Sequence, residues 1–240
     1  MRENYTLARL HVEAPLQGEL GLGADQAHYL SRVLRQGVGD RVRLFNGRDG
    51  EVAAEILAVG KREVRVRVVN ALRAPYAPPK VTLLFAPLKR HRTATLLEKA
   101  TELGVARLQP VITARTQHPK MRLERMRAQI VEAAEQTERL DLPELGTVLP
   151  VLDAVGAMEC PVLMGDEAGD APAMLATLES TAPPLALLVG PEGGWSPEER
   201  AALRAMEGVR AVSLGPRILR ADTAAVAMLS LVQAAVGDWG

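Results

Sequence analysis

Two short segments near the C-terminus hold the residues best suited to chemistry. The first is Leu187-Leu188-Val189-Gly190-Pro191-Glu192-Gly193-Gly194-Trp195. An apolar run ends in three glycines that leave backbone bare for a ligand, because no Cβ stands in the way. A helix then starts cleanly: Ser196 can cap it, Pro197 suits its first position, and Glu199 completes a capping box. Taken alone, the loop also reads as a tight strand-to-helix turn. It is not a P-loop, which needs Lys-Ser/Thr after the last glycine, and it lacks the G-x-G-x-x-G spacing of dinucleotide sites. The second segment is Leu214-Gly215-Pro216-Arg217-Ile218-Leu219-Arg220-Ala221-Asp222-Thr223. Two arginines and a carboxylate there stand between an apolar run and an almost wholly apolar helix. A structural ion pair is one reading. Gly-Pro at two neighbouring strand ends, with charges beside both, fits a shared ligand site.

The elements that would position these loops alternate. Apolar runs at Val81–Ala86, Leu108–Ile112, Val162–Met164, Leu185–Val189 and Ala211–Leu214 read as strands covered on both faces. Helical spacing predicts helices over Thr93–Gly104, Leu123–Arg139, Ala173–Leu178, Pro197–Met206 and Ala224–Val236. Strands alternating with helices of this length imply a parallel α/β sheet, whose ligands bind beyond the C-terminal strand ends. The linker Ala74-Pro75-Tyr76-Ala77-Pro78-Pro79 has three prolines in six residues and marks the domain break. Before it the pattern is β: Arg41–Leu44 and Glu63–Val68 alternate polar and apolar residues, with Asn46-Gly47 and Asp49-Gly50 as turns. One short helix is expected over Asp25–Arg35, capped by Asp25, with Tyr29, Leu30, Val33 and Leu34 inward. These elements suggest a small barrel. The expected domains are residues 1–73, a linker at 74–80, and 81–240.

Composition sets limits. The 240 residues carry no net charge, but residues 1–73 hold 12 Lys and Arg against 9 Asp and Glu, so the N-terminal part is mildly basic and the remainder mildly acidic. A basic N-terminal unit suits contact with an RNA backbone. No signal-peptide pattern opens the chain, and its longest apolar stretch, Ala224–Val236, is too short to span a bilayer. A soluble cytoplasmic protein is expected. The single cysteine, Cys160, rules out an intrachain disulfide and a cysteine-cluster metal site. His91 and His118 lack metal-ligand spacing, so no metal is predicted. Trp195 and Trp239 read as packing residues rather than base-stacking platforms.

The paired loops resemble those of the RsmE family of 16S ribosomal RNA uridine-N3 methyltransferases, in the SPOUT superfamily. The likeness extends along the chain. His28–Arg35, Val38-Gly39-Asp40 and Leu44-Phe45-Asn46-Gly47 resemble that family's PUA-like barrel, and Lys99-Ala100-Thr101-Glu102-Leu103-Gly104-Val105 resembles its helix after the linker. The resemblance implies an α/β, SPOUT-type parallel sheet with a C-terminal trefoil knot, preceded by a small PUA-like β-barrel domain. It implies an S-adenosyl-L-methionine (SAM) site formed by Leu163, Met164 and Gly165, by Gly190, Pro191, Glu192 and Gly194, and by Leu214, Gly215, Ile218 and Leu219. It also implies a homodimer acting on 16S rRNA of the small subunit. The nearly all-apolar last helix agrees, since it needs cover on every side. Within that frame Arg220 is the candidate for stabilising charge on the uracil oxygens, with Asp222 or Glu192 as proton acceptor. The family usually carries Glu at the position of Asp222, so the carboxylate here is kept with a reach one methylene shorter. Arg32, Arg35, Lys89, Arg90 and Arg92 are the candidate RNA-phosphate contacts. Competing readings are a different SPOUT enzyme acting on a tRNA base or a ribose, a non-catalytic RNA-binding assembly factor, and a nucleotide enzyme holding phosphate at Gly190–Gly194.

Overall fold

The structure, a computed structural model, describes residues 6–117 and 120–239. His118 lies outside the described residues. The chain divides into two units. The first comprises residues 1–77 together with 134–142, and the second residues 78–133 and 143–240.

The first unit is built on strands β1 (Arg9–His11), β2 (Glu19–Leu22), β3 (Arg41–Asn46), β4 (Gly50–Val59) and β5 (Val64–Arg73). They form one sheet in the order β1-β3-β4-β5-β2, with β1 and β2 at its ends. The alternation seen in the sequence is obeyed along β5, where Val64 and Val66 are buried while Arg65 and Arg67 are exposed. Three register shifts interrupt the β4–β5 ladder, and such bulges bend and twist a sheet. The sheet surrounds a core containing Leu10, Leu22, Leu30, Val42, Leu44 and Ile56. The expected helix over Asp25–Arg35 is only partly regular. Helix α1 covers Ala24–His28, capped by Gly23 rather than Asp25, and continues as a π-helical turn over Tyr29–Val33. The wider turn breaks the 3.6-residue periodicity on which the expected face relied. Only Leu30 of that face is buried; Tyr29, Val33 and Leu34 are exposed.

The stretch 134–142 joins this unit by charge as well as packing. Glu51, buried in β4, accepts from Arg9 Nε at 2.6 Å and Arg73 Nε at 2.7 Å. Arg43 grips Glu138 with both guanidinium nitrogens, at 2.8 and 2.7 Å. Arg9 also donates to the carbonyls of Ala134 and Arg139 and stacks 3.6 Å above the Phe45 ring. Burial disfavours the Glu51 carboxylate, but Arg73 and Arg9 more than compensate, holding its pKa below the ordinary value. Burial is also the main reason the Arg9 pKa is lowered. The linker signal in the sequence places 134–142 wholly in the second domain; the ion pairs draw it into the first.

The second unit is a parallel sheet of β6 (Val81–Phe85), β7 (Arg107–Ile112), β8 (Glu144–Leu145), β9 (Leu149–Pro150), β10 (Val162–Gly165), β11 (Leu185–Val189) and β12 (Val209–Val212). Its order is β12-β10-β11-β6-β7-β8, with β9 also on β7, and every pairing is parallel. The helices are α2 (Arg90–Glu102), α3 (Leu123–Gln136), α4 (Val151–Gly156), α5 (Met174–Leu178), α6 (Pro197–Ala205) and α7 (Ala221–Ala235). The short β8, β9 and α4 are not among the elements expected from the sequence. Strands β6 and β11 are almost wholly buried, as continuous apolar runs require. One core cluster contains Leu84, Val111, Met164, Leu188, Trp195 and Leu203, side chains of a kind worth ~1.5–3 kcal/mol each when fully buried. Helix α7 packs on α2, α5 and β11, and Gln233 Nε2 donates to the Leu103 carbonyl at 2.6 Å. Val226, Ala227 and Leu231 remain half-buried. Among the described residues no helix is long and apolar enough to cross a membrane.

Candidate cofactor and methyl-transfer site

The C-terminal ends of β10, β11 and β12 open on one cavity of about 590 Å³. Three loops build its wall: Gly165–Glu167 after β10, Val189–Trp195 at the end of β11, and residues 214–221 leading into α7. Arg92 of α2 closes one side.

Two glycines there are required by geometry. A Cβ on Gly190 would stand 2.9 Å from Cε2 of Trp195, so only glycine lets the strand end lie against the indole. Gly215 has φ +100°, a left-handed value costly to other residues. Trp195 is 2 % exposed and its Nε1 donates to the Gly165 carbonyl at 3.0 Å, tying the first loop to the second. Below them Ser196 Oγ accepts from the Glu199 amide at 3.1 Å, and Pro197 opens α6, as the sequence predicted.

Helix α6 also braces the first loop electrostatically. The Asp166 side chain, fully buried, lies 2.8 Å from Arg204 and 3.1 Å from Arg200. The Arg200 contact is ionic rather than an aligned hydrogen bond. Arg200 also pairs with Glu167, and Arg204 with Asp170. The Arg204 hydrogen bonds hold the exposed Asp170 carboxyl down at about 2.

Arg92 and Glu192 on the cavity wall form a charged triangle with Asp222, which does not itself line the cavity. Arg92 NH1 lies 3.0 Å from Glu192 Oε1 and 3.8 Å from Asp222 Oδ1, with all three side chains half-buried. Asp222 sits in the first turn of α7, and its Oδ1 accepts from the Thr223 amide at 3.0 Å. Arg220 is the N-cap residue of α7; it is exposed on the cavity wall with no hydrogen bond or ion pair of its guanidinium among the described residues.

The predicted site residues fall as follows. Gly165, Gly190, Pro191, Glu192, Gly194, Leu214, Gly215, Ile218, Leu219 and Arg220 line the cavity. Leu163 and Met164 do not: both are wholly buried within β10, because the strand continues to Gly165 before the chain turns. Arg32, Arg35, Lys89 and Arg90 are exposed. Arg92, two residues past Arg90, is half-buried and turns onto the cavity, where it pairs with Glu192. Asp166, Glu167, Trp195 and Arg217 also line the cavity, beyond the ligand residues expected from the sequence. Asp166 and Glu167 directly follow β10, and that strand-end position was the available signal. Trp239 is exposed rather than packed. Among the described residues no group of three or more His, Cys, Asp or Glu is placed to hold a metal ion.

The cavity fits SAM. Its volume lies in the ~300–1,000 Å³ range of small-molecule sites. The backbone amides of Ile218 and Leu219, on the cavity wall, have no partner among the described residues. Side chains of both signs are present for a cofactor that carries both.

Comparison with known proteins agrees. Residues 75–233 match the RNA methyltransferase domain family, and residues 22–69 match the RNA methyltransferase PUA domain family. Ribosomal RNA small subunit methyltransferase E of Rickettsia conorii is 32 % identical over 230 residues, covering 94 % of each chain. A methyltransferase of Legionella pneumophila solved with bound SAM is 33 % identical with a TM-score of 0.84, over 97 % of this chain and 99 % of that one. Ribosomal RNA small subunit methyltransferase E of Neisseria gonorrhoeae, solved with SAM, is 25 % identical with a TM-score of 0.86, over 98 % and 100 %. With both domain families matched in order and similarity running nearly end to end, the chain belongs to the ribosomal RNA small subunit methyltransferase E (RsmE) family.

Proposed function

We propose that this protein transfers a methyl group from SAM to N3 of a uridine in 16S rRNA of the small ribosomal subunit. One observation carries the reading: three loops at neighbouring strand ends share a cavity with Arg92, Glu192 and an uncommitted Arg220, and Asp222 lies 3.8 Å from Arg92. SAM, when bound, supplies an electrophilic methyl on a sulfonium. Gly165, Gly190, Pro191, Glu192, Gly194, Leu214, Gly215, Ile218 and Leu219 would hold it. Positioning of the two reactants accounts for much of the acceleration, up to ~7–11 kcal/mol in favourable cases.

Uracil N3 must lose its proton as it attacks. Arg220 stabilises the negative charge that develops on the uracil oxygens. Asp222 or Glu192 accepts the proton, and Asp222, at 3.8 Å from Arg92 against 3.0 Å for Glu192, is the less tightly engaged. Arg92 holds both carboxylates in place. Arg32, Arg35, Lys89 and Arg90 bind phosphates. The loops after β10, β11 and β12 thread as a trefoil knot, a reading supported by the shared cavity and by β12 lying beyond β10. A second copy covers the half-buried face of α7 at Val226, Ala227 and Leu231, giving a homodimer. The protein acts in the cytoplasm, where ribosomal subunits are its substrate.

The test is tritiated-methyl transfer from SAM to undermethylated small subunits, followed by nucleoside analysis. 3-Methyluridine is expected, and Arg220→Ala should abolish it. SAM binding without methyl transfer to small-subunit RNA would refute the substrate; absence of SAM binding would refute the reaction.

A further inference from the structure

The second unit contains another cavity, about 350 Å³, that none of the foregoing chemistry uses. It lies between the chain following β6, the first turn of α2 and the start of α3. Arg90, Lys120, Arg122 and Arg125 line it, and no acidic residue does. Among the described residues these four cationic groups make no hydrogen bond or ion pair. Like charges around a concavity raise its potential, and each is disfavoured by the others. Helix α2 compounds this. It has 13 residues, no side-chain cap and no acid in its first turn, which reads Arg90-His91-Arg92. Helix stability alone favours acids at that positive end. An anion on this surface accounts for the arrangement.

The floor is apolar. Leu88 is 4 % and Met126 5 % exposed, and both line the cavity with the Gln129 amide beside them. Cations at the rim, thioether and alkyl surface below, and one side-chain amide suit a phosphate, the face of a base and its polar edge. Helical geometry sets Arg90 and Arg92 about 200° apart around α2, Arg92 on the first cavity and Arg90 on the second.

Resting on the function proposed above, we propose that this second cavity takes a nucleotide of the substrate RNA that flanks the methylated uridine. Its phosphate lies against Arg90, Arg122 and Arg125 and its base against Leu88 and Met126, so the RNA strand passes over the first turn of α2 from one cavity to the other.

Arg122 and Arg125 are exposed, so an Arg122→Ala/Arg125→Ala variant retains the fold, and its SAM Kd reports that directly. In methyl transfer to undermethylated small subunits, the variant should raise KM for RNA at least tenfold with SAM affinity unchanged. The slope of log(kcat/KM) against log[salt] should become shallower by up to ~0.7, the contribution of the one single-strand phosphate held there. An unchanged KM and slope overturn the proposal. A single-stranded 16S fragment carrying 4-thiouridine beside the target uridine, irradiated with the full-length protein, should crosslink to the peptide holding Met121 and Met126. That readout does not need catalysis. If no methyl reaches small-subunit RNA, the function reading fails while the crosslink still decides the cavity: a crosslink that disappears in the variant upholds it, and none with the wild type overturns it.

Discussion

Gly190→Ala tests the cavity wall most directly. The new Cβ would lie 2.9 Å from Cε2 and 3.0 Å from Cζ2 of Trp195, against ~3.5–4.0 Å for carbon atoms at optimal separation. The indole must retreat by roughly 0.5–1 Å, yet it is 2 % exposed among Met164, Leu188 and Leu203. Movement also draws Nε1 from the Gly165 carbonyl, now 3.0 Å away. Overpacking of this kind costs ~1–3 kcal/mol, and the hydrogen bond adds ~0.5–1.5 kcal/mol. A loss of about 2–4 kcal/mol corresponds to a fall in Tm of roughly 5–15 °C for a chain of this size. Calorimetry measures it, and titration calorimetry should show SAM affinity falling at least tenfold, because Gly165 and Trp195 both line the cavity. Gly193→Ala is the control: its Cβ would meet Arg115 Cβ at 3.5 Å, an ordinary contact, and Tm should stay within about 2 °C, as for surface changes. Equal losses in both variants, or none in Gly190→Ala, would refute the argument from the indole.

Arg92→Ala should lower kcat about 10- to 100-fold with RNA affinity within about twofold, since the side chain engages Glu192 and Asp222 rather than phosphate; an effect confined to RNA affinity would count against the triangle. Glu51→Gln should cost about 3–5 kcal/mol in urea unfolding, by leaving Arg9 and Arg73 without their shared counter-ion. Because the folded pKa of Glu51 is depressed, the stability it contributes is fully present above its ordinary 4.5 and is lost as pH falls through the lower folded value. Wild type should therefore weaken more steeply than Glu51→Gln below pH 4.5 in the same assay. Arg204→Ala leaves the buried Asp166 with Arg200 alone; about 1–3 kcal/mol of stability should be lost, with weaker SAM binding because Asp166 borders the cavity.

Local signals in the sequence are legible where local physics decides. The start of α6 at Ser196-Pro197 and the continuous apolar strands β6 and β11 follow from caps and burial within a few residues. The glycine loops are legible for the same reason, since strand end, glycine and helix cap are contiguous. Leu163 and Met164 fall outside the cavity because a four-residue strand gives no sign of where its last buried residue lies. The inward turn of Arg92 is hidden from the sequence because its partners, Glu192 and Asp222, are 100 and 130 residues away. The same holds for 134–142, whose attachment depends on Arg9, Arg43 and Arg73, and no periodicity encodes an ion pair across such separations. The outward turn of Val33 and Leu34 comes from a π-helical segment, which departs from the period that locates faces.

The return of residues 134–142 to the first unit means that this unit is continuous in space and discontinuous in the gene. A single cut in the linker cannot release it whole. A fragment ending at Ala77 would expose Phe45, which packs on Ala134 and Leu140, and would take from Arg9, Arg43 and Arg73 the carbonyls and the Glu138 carboxylate they engage in 134–142. Exchange of this module between relatives, in evolution or in the laboratory, therefore has to carry a nine-residue insert from the middle of the catalytic half. The two halves are bound to one another in heredity by that insert, and they are expected to diverge together.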